Sequence, residues 1–365
     1  MKILQTCIYR LSIPMTPFQI ATGTMYHAQN LFLRITTDEG ITGVGECSAF
    51  PMIVGETQST CFEMAKEFAL LWKNKEADDI QARLNDLDNF TAFNSTIKSA
   101  FDMVLYDLAA KQKNLPLYKY LNGNKKLLET DITIGIGEPD IMASQALEFK
   151  IKGFRILKIK LGKDVETDLL RIQMIRKAIG ESIRLRIDAN QGWNFENAKK
   201  ILSQMGSYDI EFCEQPMRTW NDHYLPELRK SSPIKIMADE SVFDHHDALR
   251  LILAGACDYI NIKFSKSGGI SEALKINQVC ESHNIPCMMG GMLESRLALS
   301  AFAHFALAQK NIQFYDMDTC LLGHLTDPVI GGVQFNGYNL EVPDEPGIGA
   351  DISDEFLKTC EQVVV

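Results

Sequence analysis

Three acidic residues stand at the ends of successive candidate strands in the second half of the chain. They are Asp188, Glu214 and Asp239, each roughly one strand–helix unit after the last. In a parallel barrel, side chains so placed converge at one mouth, where three unpaired anions would repel one another strongly. A divalent cation relieves this repulsion, and ligation by carboxylates alone favours Mg²⁺, or Mn²⁺ as a substitute, over zinc. Taken singly, each acid would more often cap a helix or form a turn.

Two lysines lie on candidate strands that face each other across the same mouth. Lys160 ends the second strand and Lys263 the sixth, and strands four apart in an eight-stranded ring are opposite. One base can then remove a proton from a substrate carbon while the other returns one to the opposite face. Free lysine is too basic for this task, so a dication and a second ammonium, Lys158, are expected to lower its pKa. The alternative is that Lys158 and Lys160 lie on one solvent-facing side of an edge strand.

A pair of carboxylates follows the eighth candidate strand. Asp316 and Asp318 share one strand face, since side chains alternate with period two. At a mouth already lined with cations, they suggest recognition of a substrate ammonium group. A solvated turn is the alternative for this pair in isolation.

The elements that would position these residues begin near residue 130, where short apolar segments alternate with helical patterns. Such alternation is typical of parallel strands joined by right-handed crossovers, and eight units predict a closed (β/α)₈ barrel. A doubly wound open sheet is the alternative, but Gly135–Glu138 matches its glycine-rich fingerprint poorly. The predicted strands are Ile132–Ile136, Ile156–Leu161, Arg184–Ala189, Ile210–Glu214, Ile234–Ala238, Tyr259–Phe264, Pro286–Met289 and Ile312–Tyr315.

The chain divides into three predicted parts. Residues 1–125 combine a β-hairpin around Gly40 with two helical patterns, which indicates an α+β capping domain. Residues 126–325 form the barrel. Residues 326–365, rich in Gly and Pro, are expected to return to cover the barrel or complete the capping sheet.

Composition excludes several classes of protein. The 365 residues are 46% hydrophobic and 23% charged, as in ordinary globular proteins, and no apolar run is long enough to span a membrane. A net charge of −10 without a basic patch argues against nucleic acid as a partner. The nine cysteines include no CxxC pair, which predicts reduced thiols in a cytoplasmic protein.

Together these motifs resemble the enolase superfamily and, within it, the muconate-lactonising-enzyme subgroup. The resemblance implies that Asp188, Glu214 and Asp239 bind Mg²⁺, which holds a substrate carboxylate. It also implies that Lys160 and Lys263 are the bases acting α to that carboxylate, through a metal-stabilised enediolate, with Lys158 supporting the developing charge. The motifs that carry it are Lys158-Ile159-Lys160, Asp188-Ala189-Asn190, Glu214-Gln215-Pro216, Asp239-Glu240-Ser241 and Asn261-Ile262-Lys263.

The Asp316-Met317-Asp318 motif resembles that of the dipeptide epimerases in this subgroup, where it binds the α-ammonium of the dipeptide. It implies an isomerase that inverts the α-carbon of the C-terminal residue, and family resemblance suggests a homo-oligomer. An o-succinylbenzoate synthase or a muconate cycloisomerase would use the same acids and lysines, but neither substrate has an ammonium group. A non-catalytic binding protein should have lost some of these residues.

The cap loops depart from the Ala-Glu epimerases, which carry an arginine in the first loop. Gly23 stands at the matching place, and neither Phe18–Tyr26 nor Phe50–Gly55 contains Lys or Arg. An apolar pocket would leave a glutamate side chain unpaired, so small or hydrophobic dipeptides of the Ala-Ala type are predicted. The further candidate substrate contacts are Thr133, Met292, Gly23, Tyr26 and Ile53.

Overall fold

The computed structural model describes residues 1–365. Its strands are β1 (Ile3–Ile20), β2 (Gly23–Thr37), β3 (Thr42–Ser48), β4 (Leu128–Glu129), β5 (Ile132–Ile134), β6 (Ile156–Lys160), β7 (Arg184–Asp188), β8 (Ile210–Glu214), β9 (Ile236–Ala238), β10 (Tyr259–Ile262), β11 (Cys287–Gly290), β12 (Ile312–Asp316), β13 (Val329–Gly331), β14 (Gln334–Asn336), β15 (Asn339–Glu341), β16 (Ala350–Ile352) and β17 (Gln362–Val364).

The α-helices of the cap pack on its sheet, and those of the barrel connect its parallel strands. None of them combines the length and the apolar character that crossing a membrane requires. They are α1 (Pro51–Val54), α2 (Gln58–Trp72), α3 (Ile80–Phe90), α4 (Ser95–Gln112), α5 (Leu117–Tyr120), α6 (Pro139–Ile151), α7 (Val165–Ile179), α8 (Phe195–Met205), α9 (Leu225–Ser231), α10 (His245–Ala254), α11 (Phe264–Ser267), α12 (Ile270–Ser282), α13 (Arg296–Ala308) and α14 (Asp354–Leu357).

Strands β5 to β12 form one eight-stranded parallel sheet in chain order. This confirms the predicted barrel, and each predicted strand is present with its ends shifted by at most two residues. Helices α6 to α13 include the crossovers, which cover the outer face of the sheet. Polar residues that face the inside of the barrel, such as Lys158, are also buried. The open-sheet alternative is wrong.

The barrel closes at a seam between β5 and β12 that uses side chains as well as backbone. The Thr133 N–H donates to Asp318 Oδ2 at 2.6 Å, and the Met317 N–H donates to Thr130 Oγ1 at 2.9 Å. Only the Asp131 N–H reaches a carbonyl across the seam, that of Tyr315, at 3.2 Å. The Asp318 carboxylate therefore replaces a missing rung of the strand ladder.

Strand β6 shows how the fold places charge inside the barrel. Its alternation sends Leu157 and Ile159 into the layer of apolar side chains beneath the helices, and it sends Lys158 and Lys160 to the other face. Both lysines are buried, with Lys160 only 7% exposed. The edge-strand alternative is therefore wrong, because β6 pairs with β5 on one side and β7 on the other.

The capping sheet has the order β17-β1-β2-β3 and is antiparallel. Strand β17 pairs with β1, so residues Gln362–Val364 form one edge strand of this sheet. Helices α2 and α4 pack on it through Phe68, Trp72 and Phe101, whose rings meet edge to face. Helix α3 was not predicted, and the boundaries at residues 125 and 325 stay predictions.

Two buried carboxylates of the cap dock it on the barrel helices. Glu46 accepts the backbone N–H of Ser295 at 2.8 Å and that of Ala298 at 3.1 Å, at the start of α13. Asp102 accepts the N–H of Ile270 at 2.5 Å at the start of α12. These bonds satisfy N–H groups that have no partner within the helices, and the carboxylates are favoured by the helix dipoles.

A glycine test probes this docking. Gly269 has φ +117°, and a Cβ there would overlap the Asp102 carboxylate. Gly269→Ala should therefore lower the free energy of unfolding by at least about 3 kcal/mol, because backbone strain and overpacking add. Gly337 is the control, since it also has positive φ but nothing lies within 4 Å of its Cβ position. Gly337→Ala should lower the free energy of unfolding by about 1 kcal/mol. Urea unfolding measures both variants, and an equal loss of stability in the two would contradict the docking argument.

Candidate active site

Two of the predicted metal-binding acids share one ammonium group. Asp188 and Glu214 are the paired last residues of β7 and β8, and both are fully buried. The Lys158 Nζ lies 3.2 Å from Asp188 Oδ2 and 2.7 Å from Glu214 Oε2. Lys160 Nζ donates to the same Asp188 oxygen at 2.7 Å. The structure thus brings these two acids and both β6 lysines together in one contact network.

The third acid, Asp239, directly follows β9 and is also fully buried. Its Oδ2 lies 3.0 Å from Lys263 Nζ, and its Oδ1 lies 2.6 Å from Lys266 Nζ. Asn261 links this group to the first two acids, since its side-chain amide donates to Glu214 Oε1 at 2.8 Å and its backbone carbonyl accepts from Lys266 at 3.1 Å. All three predicted acids therefore belong to a single buried cluster.

The charges in this cluster shift the pKa values of its members. Burial raises the pKa of Glu214 to about 7, with the charge of Asp188 adding to the effect. Burial alone would also raise the pKa of Asp239, but Lys263 and Lys266 hold it below its usual value. Burial would lower the pKa of Lys263, yet the charges of Asp239 and Glu214 raise it by more.

The expectation that a dication and Lys158 lower the pKa of the catalytic lysines stays a prediction. In the protein by itself, the pKa values of two lysines are raised. Lys263 and Lys158 both have raised pKa values, because burial, which lowers the pKa of each, is outweighed by neighbouring carboxylates. A raised pKa keeps an ammonium protonated, which suits a proton donor. Any lowering must come from positive charge brought to the acids.

The donor set fits a hard divalent cation. Glu214 Oε2 and both carboxylate oxygens of Asp239 are buried and accept no hydrogen bond of good geometry. The set offers only carboxylate oxygens, which are the ligands that Mg²⁺ prefers. Gln215 orients the third acid, because its Oε1 accepts the backbone N–H of Asp239 at 2.9 Å. Asp188, Glu214 and Asp239 could thus hold Mg²⁺.

A second group of acids lies closer together than the first. Oxygens of Asp131, Asp316 and Asp318 all lie within 4.8 Å of one another, and all three residues are buried. Asp316 and Asp318 were predicted from their spacing, whereas Asp131 was not. Lys158 Nζ donates to Asp316 Oδ2 at 2.7 Å, so this group adjoins the first cluster. It is a second candidate site for a cation, whether metal or ammonium.

The predicted substrate contacts differ in how close they lie to these clusters. Thr133 is buried and bonds directly to Asp318 through its backbone N–H. Met292 is also buried, and the neighbouring Gly291 N–H donates to the Asp316 carbonyl, at the end of β12, at 2.9 Å. Gly23 meets the second cap loop, since a Cβ there would lie 2.5 Å from the sulfur of Met52. Ile53, in α1, is half-buried. Tyr26 is 61% exposed, on the opposite face of β2 from the buried Met25, so the structure does not bring it into the buried clusters.

Sequence reasoning missed several charged and polar groups of the site. Lys266 is fully buried against Asp239, and its position three residues after Lys263 was an available signal. Asp131 shares the inward strand face with Thr133, but it precedes the strand rather than ending it. Glu240 is buried, with its carboxylate 3.3 Å from the Asn190 amide. Each of these three residues lies within three positions of a residue that the sequence analysis did choose. The spacing of the motifs gave no separate reason to choose the neighbour as well.

Two family matches cover most of the chain. Residues 3–122 match the Mandelate racemase / muconate lactonizing enzyme, N-terminal domain. Residues 141–356 match the family described as Enolase C-terminal domain-like. The chain therefore belongs to the mandelate racemase and muconate lactonizing enzyme family of enolase-like proteins, which confirms the resemblance carried by the motifs.

Relatives within this family are dipeptide epimerases. The D-Ala-D/L-Ala epimerase of Cytophaga hutchinsonii is 43% identical over 100% of both chains. The crystal structure of a dipeptide epimerase from that organism, complexed with Mg and D-Ala-L-Val, matches with a TM-score of 0.98 over 100% of both chains. The hydrophobic dipeptide epimerase of Enterococcus faecalis is 40% identical over 96% of this chain and 99% of its own. The L-Ala-D/L-Glu epimerase of Bacillus subtilis is 38% identical over 96% of each.

Proposed function

We propose that this protein is a Mg²⁺-dependent dipeptide epimerase that inverts the α-carbon of the C-terminal residue. The observation that carries the proposal is the buried cluster in which Lys160 and Lys263 each contact a different acid of one three-carboxylate set. The full-length similarity to dipeptide epimerases supports it. We also propose a cytoplasmic location and a homo-oligomer, as the cysteine pattern and the family resemblance suggest.

The chemistry assigns one proton movement to each lysine. Lys160, as the free amine, takes the α-proton from one face of the substrate, and Lys263, as the ammonium, delivers a proton to the opposite face. In the reverse direction the roles exchange. Mg²⁺ held by Asp188, Glu214 and Asp239 would supply positive charge for the substrate carboxylate. The strands β6 and β10 lie four apart in the ring, which supports an approach of the two amines from opposite sides.

The two acidic groups divide the charges of a dipeptide between them. A dipeptide carries a carboxylate at one end and an ammonium at the other. The carboxylate would be balanced by Mg²⁺ on the acids that the two bases flank, because the α-carbon must lie between Lys160 and Lys263. The ammonium goes to Asp316 and Asp318, since cations are bound best by buried carboxylates. Lys158 contacts acids of both groups and supports the charge that develops on the substrate.

The specificity proposal is for small or hydrophobic dipeptides. The first cap loop lacks a cation, and Gly23 packs against Met52 of the second loop. A side chain at position 23 would need Met52 to move, so the loops meet over apolar atoms. A glutamate side chain placed there would lose its hydration without gaining a partner. Relatives named for hydrophobic dipeptides and for Ala-Glu both exist at similar identity, so overall identity does not separate the two specificities.

A deuterium screen tests this specificity. The enzyme with Mg²⁺ in deuterated water should add one deuterium at the C-terminal α-carbon of Ala-Ala and of Ala paired with a branched residue. Ala-Glu should exchange more slowly, because its side chain finds no cation. Mass spectrometry after timed quenching measures the rates. Ala-Ala amide is the control, since it lacks the carboxylate and should not exchange.

Two outcomes contradict the proposals separately. Faster exchange with Ala-Glu than with every apolar dipeptide would overturn the apolar pocket but leave the epimerase intact. Absence of exchange with every dipeptide, in enzyme that binds Mg²⁺, would overturn the epimerase proposal itself.

A further inference from the structure

A buried aspartate beneath the proposed ammonium site has no assigned role. Asp131 immediately precedes β5 and is 0% exposed. Its Oδ2 accepts from Arg186 Nη1 at 2.8 Å, while its Oδ1 has no hydrogen-bond partner. Burying an unpartnered carboxylate oxygen is costly, and such groups in folded proteins call for an explanation. The oxygens of Asp131 lie within the same 4.8 Å group as those of Asp316 and Asp318.

The cations around this group are already shared with other acids. Arg186 pairs with Asp131 but also with Glu211, at 2.7 Å. Lys158 contacts Asp316 but also the acids of the metal cluster. Three carboxylates thus divide two partly committed cations, and the group lacks positive charge.

The surroundings leave Arg186 no freedom to supply more. Its guanidinium carbon lies 5.3 Å from the ring centroids of both Phe212 and Phe314, so the group is held between two aromatic faces inside the barrel. It is fully buried at that position. A cationic group that enters at the mouth of the barrel would balance the remaining negative charge. Burial and the charge of Asp316 raise the pKa of both Asp131 and Asp318, that of Asp318 to about 7, which agrees with surplus negative charge.

We propose that Asp131 is the third carboxylate of the subsite that binds the substrate's primary ammonium group, together with Asp316 and Asp318. This assignment rests on the proposed dipeptide function. Asp131 acts as a specificity-determining residue: its charge favours a cationic end group over a neutral amide. Asp318, which also closes the barrel seam through Thr133, is held by that seam at a fixed distance from Asp131.

The test compares two probes on matched variants. Asp131→Asn keeps the shape of the side chain and removes its charge. It should raise the KM for Ala-Ala about tenfold, with kcat changed less than about twofold, because the charge affects binding of the distant ammonium rather than proton transfer. The KM for N-acetyl-Ala-Ala, which has no ammonium, should not rise. Discrimination between the two probes therefore falls about tenfold.

The control variant removes the other partner of Arg186. Glu211→Gln takes a carboxylate from the same guanidinium on the side away from the acid group, and it should leave the preference for Ala-Ala over N-acetyl-Ala-Ala unchanged. An equal loss of preference in Glu211→Gln, or an unchanged preference in Asp131→Asn, would overturn the assignment. Wild-type enzyme that exchanges no dipeptide would instead overturn the proposed function, and the subsite with it.

A second measurement uses the wild-type enzyme and therefore does not depend on whether a variant folds. In a crystal structure of the wild-type enzyme with Mg²⁺ and Ala-Ala, the dipeptide nitrogen should lie within about 6 Å of an Asp131 oxygen, the range in which an opposite charge acts strongly. A nitrogen farther away, or one turned toward the cap loops, would overturn the proposal.

Discussion

Replacing Lys160 with alanine should abolish α-proton exchange from one epimer of a dipeptide. The Lys160 amine, on β6, contacts Asp188, whereas the Lys263 amine, just after β10, contacts Asp239. In the proposed mechanism, each lysine reaches one face of a carbon held between them. Loss of a positioned base costs about 10²- to 10⁴-fold in rate. Lys263→Ala should produce the mirror result, with exchange lost from the other epimer.

The measurement is deuterium uptake from each pure epimer, with Mg²⁺ affinity measured on the same samples. Lys163→Ala is the matched control, because Lys163 lies in the loop after β6 with its side chain exposed, and it should behave as wild type. Equal loss from both epimers in Lys160→Ala, with Mg²⁺ binding intact, would argue for a single base. Unchanged exchange from both would remove Lys160 from the mechanism.

The barrel was predictable because its signals are local and repeated. Eight short apolar segments at regular spacing leave few arrangements, and the acids at their ends follow from the rule that parallel strands finish at one mouth. The long strands of the cap were harder to predict from the sequence. Strand β1 runs from Ile3 to Ile20 with irregular register against β2, so its alternation is broken in the sequence.

The charge balance of the site was less predictable than its membership. Lys158, Lys160 and Lys263 could be chosen from the sequence, but the direction of a pKa depends on which neighbours lie nearest in three dimensions. Burial lowers the pKa of Lys263, but the charges of Asp239 and Glu214 raise it by more. Asp131 was not predicted as a site residue because its partner, Arg186, lies two strands away on β7. No regular spacing along the chain links the two residues.

Removing the metal should abolish activity. Chelation followed by gel filtration should reduce exchange at least about 10³-fold, because the developing charge loses several kcal/mol of stabilisation. Added Mg²⁺ should restore it. At one hundred times its Kd, Mg²⁺ should also stabilise the fold by about 2.7 kcal/mol, which thermal unfolding detects independently of turnover.

Two acid groups compete for this ion, and substitution separates them. Asp239 has two buried oxygens without a good hydrogen bond. At the seam, Thr133 engages Asp318 Oδ2 and Arg186 engages Asp131 Oδ2, which leaves one unpartnered oxygen, Asp131 Oδ1. Asp239→Asn should therefore weaken Mg²⁺ binding in calorimetric titration about 10- to 100-fold, since it removes one ligand charge. Asp131→Asn should bind Mg²⁺ as tightly as wild type. The reverse pattern would place the metal in the more compact group at the seam, and the substrate's ammonium would then need another partner.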